Sequence, residues 1–282
     1  MKANEATFGI ELETFVDETT AAANGLNVGP YHRGIQAPYL PDGWTACRDA
    51  SIEGGAGTLA CEIVSPILQG ADGLRQVVEV VKALRGKGHK VNATCGVHVH
   101  VGFATASDAD LNRLIQTVSY LEKAIFATTG TKNRERGDFC KGLRRFGSPD
   151  AARDALKRDR YSVLNICNLK SLTGKKTVEF RAFSGSLNPV KIAGWIQMVL
   201  GIIERATTTK RLPAWEPRPA TGGWRKSGVG QTDVERLFGF LGWGDGYRRL
   251  KGRSFGLLDD VVSEDRIKAE FRRLARKYDA QA

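Results

Sequence analysis

Cysteine is sparse and unpatterned. Cys47, Cys61, Cys95, Cys140 and Cys167 are scattered, odd in number and never at C-x2-C spacing, which excludes a disulfide framework and a cysteine-ligated zinc or redox site. Reduced thiols in a reducing compartment are the expectation. No stretch approaches the roughly 18 consecutive apolar residues of a membrane span. The amino-terminal MKANEATFGIELE meets charge before any apolar run can build, so no leader is expected. The protein is therefore expected to be soluble and cytoplasmic, with no membrane partner. Nucleotide motifs of other folds are also missing. Gly130 opens GTKNRERG without a following G-K-[ST], and the run Gly174, Lys175, Lys176, Thr177 has Leu169 where a P-loop requires glycine. Gly54, Gly55 and Gly57 have neither a following lysine nor Rossmann spacing. If ATP binds, metals and arginines must hold its phosphates.

Acidic residues are the minority, 31 against 42 Lys and Arg, for a net charge of +11. Such a balance suits a nucleic acid or another acidic partner, and equally a solvated basic face or a site that handles anionic nucleotides and carboxylates. With 282 residues, 41% of them hydrophobic, the chain can bury a core as one large domain or two small ones. It contains no internal repeat and no low-complexity tract.

Four segments alternate with the period of a strand. Residues 7–16 set Phe8, Ile10, Leu12 and Val16 against Glu11 and Glu13, and residues 58–64 set Leu59, Cys61 and Ile63 against Glu62. Residues 96–103 set Val97, Val99, Val101 and Phe103 against His98 and His100, and residues 177–183 set Val178, Phe180 and Ala182 against Glu179 and Arg181. Three apolar stripes have helical spacing. One runs from Leu74 to Leu84 and stops at Gly86 and Gly88. Another runs from Leu111 to Ile125 behind the cap candidates Ser107 and Asp108, and a third from Ile192 to Ile203 behind Asn188 and Pro189. The implied class is α+β: a sheet with one face covered by helices and the other left open as a cleft.

From about residue 207 prolines, glycines and basic residues concentrate, and a basic helix with Ile267, Phe271, Leu274 and Tyr278 on one side closes the chain. We expect a catalytic domain over 1–206 and a basic, loop-rich extension over 207–282 packed on it. Trp215, Trp224 and Trp243, interleaved with Lys and Arg, are the residues a nucleic-acid-binding reading would use, and packing against loops accounts for them as well.

The chemistry lies in the polar strand faces. Singly, E-x-E reads as two solvated glutamates, H-x-H as a structural pair and Glu-x-Arg as a surface ion pair. Jointly, in strands that share a sheet, they bring carboxylates onto one surface, where they raise each other's pKa unless cations compensate. Mg2+ or Mn2+ with oxygen and imidazole ligands answers that demand.

The ordered set FGIELE, W-x4-D-x-S (Trp44, Asp49, Ser51), CEIVSP, CGVHVHVG, RYSVLN and TVEFRAFSGSLNP resembles the amidoligase branch of the glutamine synthetase and glutamate–cysteine ligase superfamily, over residues 7–205. The resemblance implies a curved, mainly antiparallel sheet with an active-site cleft on its open face. It implies an ATP-dependent reaction in which a carboxylate is phosphorylated and an amine displaces phosphate to give an amide. Glu11, Glu13, Glu62, His98 and Glu179 would hold two or more Mg2+ or Mn2+ ions. Arg181 would meet the transferring phosphoryl group, with His100 near phosphate or metal and Arg134 and Arg136 on phosphate or substrate carboxylate. Asp49, Ser51, Arg160, Tyr161 and Asn165 would line the substrate, although a turn capped by Asp49 or Ser51 explains that pair equally. Substrates would be a small-molecule, peptide or macromolecular carboxylate and amine. The chain is shorter than glutamine synthetases and lacks their amino-terminal domain, so a site contained in one subunit is expected. The alternatives are a metal-dependent hydrolase built on the same Glu and His cluster, and a basic nucleic-acid-binding protein.

Overall fold

A computed structural model describes residues 1–170, 175–209, 213–217, 232–243 and 262–281. Its strands are β1 (Thr7–Asp17), β2 (Ile35–Gln36), β3 (Thr45–Cys47), β4 (Thr58–Val64), β5 (Leu68–Gln69), β6 (Gly96–Gly102), β7 (Leu164–Asn165) and β8 (Thr177–Ser184). They form an eight-stranded sheet in the order β2-β3-β4-β1-β6-β8-β7, with β5 also on β1, and every pairing is antiparallel. The sheet is open, and the α+β class expected from the alternating segments holds. All four long strands occupy the segments that the period-two pattern marked. The short strands β2, β3, β5 and β7 carry too few residues to show a period.

The helices are α1 (Glu18–Ala23), α2 (Gly70–Gly86), α3 (Asp108–Ala127), α4 (Asn133–Arg136), α5 (Pro149–Leu156), α6 (Pro189–Thr208), α7 (Asp233–Leu241) and α8 (Glu264–Asp279). Ser107 caps α3 in a reciprocal box with Asp110, and the Asn188 side chain accepts from the amides of Val190 and Lys191 at the start of α6, so both starts are fixed by local chemistry. Helices α2, α3 and α6 pack together over the apolar sheet face, α6 touching β6 and α3 touching β8. There Phe8, Ile10, Leu12, Ile63, Val97, Val99 and Phe180 are buried. Trp44 also belongs to this core, and its indole N–H donates to Gln76 of α2 at 2.9 Å.

Helix α6 is apolar around most of its circumference, as expected of a helix covered on two sides. Its stripe faces the sheet, and its opposite side meets α7 and α8. Phe271 of α8 is buried against that side and stacks on Phe238 of α7 with ring centroids 6.5 Å apart. Burying one such ring contributes about 1.5–3 kcal/mol, enough to anchor a short segment. Trp243 is buried beside Phe238 and so offers no free face for stacking a base, and Trp215 packs half-buried against the core. Trp224 and the tail cations Lys210, Arg211, Arg218, Arg225, Lys226, Arg248, Arg249, Lys251 and Arg253 lie outside the described residues. No helix among the described residues is long and apolar enough to cross a membrane.

Candidate active site

Register builds the site. Strand β1 lies between β4 and β6, pairing Glu13 with Glu62 on one side, and Glu11 with His98 and Gly9 with His100 on the other. One strand further, His100 pairs with Glu179 of β8. Directly paired residues on one sheet face have Cβ atoms about 4.5–5.5 Å apart, so six ionisable side chains form a continuous strip on the face that the helices leave open.

Four of these, Glu13, Glu62, His98 and Glu179, are each 6% exposed or less. His98 Nδ1 lies 3.2 Å from Glu11 and 3.6 Å from Glu179, and its Nε2 lies 3.5 Å from Glu13. His100 Nε2 is 3.1 Å from Glu11. Three overlapping sets have their donor atoms within 4.8 Å of one another: Glu11, His100 and Glu179; Glu11, Glu62 and His98; Glu13, Asp49 and Glu62.

Strand β8 bears a bulge where Arg181 and Ala182 both stand opposite His98, between the pairs Val97 with Phe183 and Val99 with Phe180. Strict alternation would have put Phe183 on the polar face. The extra residue returns it to the core, where it stacks on Trp195 of α6 at 5.0 Å. Arg181 stays on the open face and donates to Glu179.

The charges are unevenly distributed along the strip. Burial, with the nearby carboxylates of Glu11, Glu13 and Asp49, pushes Glu62 up to about 9. Burial would raise Glu11 as well, but His100 and His98 hold it well below the usual carboxylate range. Glu179 likewise stays low against its burial because of His100, His98 and Arg181. His100 is raised in turn by Glu11 and Glu179, although burial opposes the shift. At the His100 end the carboxylates of Glu11 and Glu179 thus face imidazoles and Arg181, whereas Glu62 faces the carboxylates of Glu11, Glu13 and Asp49. His100 Nδ1 and Arg181 Nε are buried without a hydrogen-bond partner, while His98 Nε2 and His100 Nε2 meet only the carboxylates of Glu13 and Glu11. Hard carboxylate oxygens and the imidazoles of His98 and His100 fit one or more divalent cations, whereas Arg181 Nε, a donor only, suits an anion.

Other residues expected at the site fall into place unequally. Asn165 is buried, its amide donating to Glu179 at 2.6 Å and its oxygen accepting from Cys167 N, so it orients Glu179. Arg134 is buried with one Nη donating to the Arg181 carbonyl at 2.7 Å, and it packs on Gly96 so closely that a Cβ there would lie 3.0 Å from it. Arg136, on the same short α4, is exposed. Arg160 is exposed above the ring of Tyr161, which is itself exposed and meets Phe139 edge-on. Ser51 donates its amide and hydroxyl to Asp49, each at 2.7 Å, and this turn brings Asp49 to Glu13 and Glu62. Two contacts were not readable beforehand. The Cys47 thiol donates to Glu62 at 3.6 Å, and the Gly96 amide donates to Glu13. Cys47 sits in the three-residue β3, whose pairing with β4 no local pattern announces.

At the His100 end the strip opens into a cavity of about 260 Å3. Gly9, Ser65, Pro66, Ile67, Lys175 and Lys176 are among its walls. Gly9 faces His100 across the ladder and, having no side chain, leaves that space free.

A family model described as "Putative amidoligase enzyme" matches residues 4–203. No curated protein matches the chain. Among 42 matching chains of solved structures is a bifunctional glutathione synthetase from Pasteurella multocida, 9% identical with a TM-score of 0.43, covering 74% of this chain and 39% of its own. Another is the complex of the prokaryotic ubiquitin-like protein Pup with its ligase PafA, 12% identical with a TM-score of 0.46, covering 98% of this chain and 64% of that one. A third is GmaS in complex with ADP, 13% identical with a TM-score of 0.42, covering 99% and 71%. This chain thus spans less than two thirds of the length of the first two.

Proposed function

Because the chain belongs to the amidoligase family, we propose that it joins a carboxylate to an amine at the expense of ATP, through an acyl phosphate formed on the open face of the sheet. The observation that carries this reading is the run of three overlapping donor sets beside a buried arginine. Phosphoryl transfer needs charge neutralisation and alignment more than covalent help.

Glu11, His98, His100 and Glu179 would hold a divalent ion at one end, and Glu13, Glu62 and Asp49 another at the other. Mg2+ bound there would neutralise the phosphate oxygens. The remaining work falls to the chain itself. The cavity beside His100 takes the nucleoside, with Lys175 and Lys176 near its phosphates. Arg181, aimed by Glu179 and by the bulge, meets the transferring phosphoryl group. Arg134 holds the Arg181 backbone through its carbonyl and acts as a positioning residue. Exposed Arg160, which interacts electrostatically with Glu179, and its neighbour Tyr161 would receive the substrate carboxylate. A carboxylate oxygen then forms a bond to the γ-phosphorus as its bond to the ADP oxygen breaks. The amine nitrogen attacks the acyl carbon, the C–O bond to phosphate breaks, and the nitrogen loses a proton.

The test is ADP release by the pure protein with ATP and Mg2+, screened over carboxylate and amine pairs. Glu13→Gln and Glu179→Gln are each expected to abolish stimulated turnover while circular dichroism stays unchanged. Ordinary turnover in either variant would sink the metal assignment, and metal-dependent product formation without nucleotide would identify a hydrolase.

A further inference from the structure

Outside the cleft the structure holds a second cavity, of about 590 Å3. It lies among the start of α3, helix α5, the turn Cys167–Lys170 and the residue that leads into β8, Lys176. Its lining includes Arg153, Lys157, Lys170 and Lys176 against a single carboxylate, Asp108.

These cations are incompletely neutralised. Lys157 pairs with Asp154, and Lys176 donates to the Leu169 carbonyl at 3.1 Å. Lys170 has no ion-pair partner among the described residues. Arg153 reaches Asn112 through one Nη at 3.3 Å, while its Nε is buried with no acceptor at all. The apolar part of the wall is supplied by Phe103 and Leu111, among others. The α3 terminus is closed by its own capping box, so the helix dipole is not what makes this an anion site.

We propose that this cavity binds a small organic anion carrying at least two negative charges on an apolar body, of the kind represented by an aryl phosphate. Four cations in one concavity favour a multiply charged ligand over a monoanion. Phe103 and Leu111 favour a ligand with an apolar portion over a bare inorganic ion, and the volume lies in the range of small-molecule pockets. None of the donor sets described above borders the cavity. Lys176 and Ala104, however, line both this cavity and the one beside His100. Occupancy of either should therefore bias the other reciprocally. That linkage rests on the nucleotide reading of the first cavity, whereas the binding itself does not.

The experiment is isothermal titration of the full-length protein with phenyl phosphate, inorganic phosphate and phenol at about 0.15 M salt, where long-range surface attraction is screened. Phenyl phosphate is expected to bind at least about ten-fold more tightly than either of its halves. Arg153→Met with Lys170→Met should weaken it by about ten-fold or more, with the circular dichroism unchanged. Leu111→Ser should weaken phenyl phosphate while leaving inorganic phosphate unaffected. Removing the same charge on the exposed face of α2, by Lys82→Met with Arg85→Met, should change nothing beyond about two-fold. Absence of binding, equal affinity for phenyl phosphate and inorganic phosphate, or an equal loss in the α2 control would each overturn the proposal. So would a loss confined to Arg181→Lys, which would place the anion in the cleft.

Discussion

Arg181 donates one N–H to Glu179 and keeps a buried Nε without a partner. A guanidinium presents five donors in a fixed plane, so one edge can hold Glu179 while another meets phosphoryl oxygens. A lysine ammonium, carried on a flexible stem, cannot serve both at fixed geometry. Arg181→Lys is therefore expected to lower kcat by about 100-fold or more, equivalent to about 2.7 kcal/mol, with the fold retained. Near-wild-type ATP turnover in that variant would make Arg181 a structural residue.

The close crossing of α6 with α8 rests on the absence of a side chain. A Cβ on Gly194 would fall 2.9 Å from the Phe271 ring and 3.0 Å from Ile267. Alanine is intrinsically the better helix former by about 1 kcal/mol. Overpacking a tight interface typically costs about 1–3 kcal/mol, so the clash decides the sign. Gly194→Ala should lower Tm, and Phe271→Ala should lower it further, by an amount matching about 3–5 kcal/mol for an emptied aromatic site. A Gly194→Ala protein more stable than the parent would show that α8 does not pack this closely in solution.

At the scale of the whole molecule, charge sets how stability varies with pH. In the unfolded chain Glu62 loses its proton near its ordinary value of 4.5, whereas the folded, metal-free protein retains it to about 9. Over that window the native state binds more protons than the unfolded one, so stability falls as pH rises. His100, also raised, has the same sign above its ordinary 6.5. Glu11 and Glu179, both lowered, have the opposite sign, but their effect is confined below pH 4.5. His89, held down to about 4 by burial, contributes stability that is lost only as pH falls below 6.5. In EDTA, Tm should therefore decline from pH 6.5 to 9, and Mg2+ should flatten the decline by letting Glu62 ionise, releasing a proton as it binds. Thermal scans at both pH values check the first expectation and calorimetry in two buffers the second; a metal-free Tm that does not change with pH would contradict both. The net charge of +11 has a separate consequence. Neutralising Arg248, Arg249 and Lys251 together should raise KM for an acidic substrate at low salt and leave kcat nearly intact, an effect that disappears as ionic strength rises. An unchanged KM at low salt would make the charge of the tail a bystander.

The sequence by itself determined which residues share a face. In a strand the side chains alternate by local geometry, so Glu11 with Glu13, and His98 with His100, were committed to the polar side before any partner strand was known. Helix starts at Ser107 and Asn188 were legible for the same reason, since a cap is made by neighbours in the chain. Tertiary structure decided which strands lie side by side and in what register, because those pairings join residues far apart in sequence and leave no periodic trace. It set Glu62 against Glu13 and Glu179 against His100, and brought the loop residue Asp49 to the carboxylates through the docking of β3 on β4. It turned Asn165 onto Glu179, and through the bulge returned Phe183 to the core while Arg181 stayed in the cleft. Alternation fixes a side chain's face from its immediate neighbours, but the distance between side chains on different strands is set only when those strands pair.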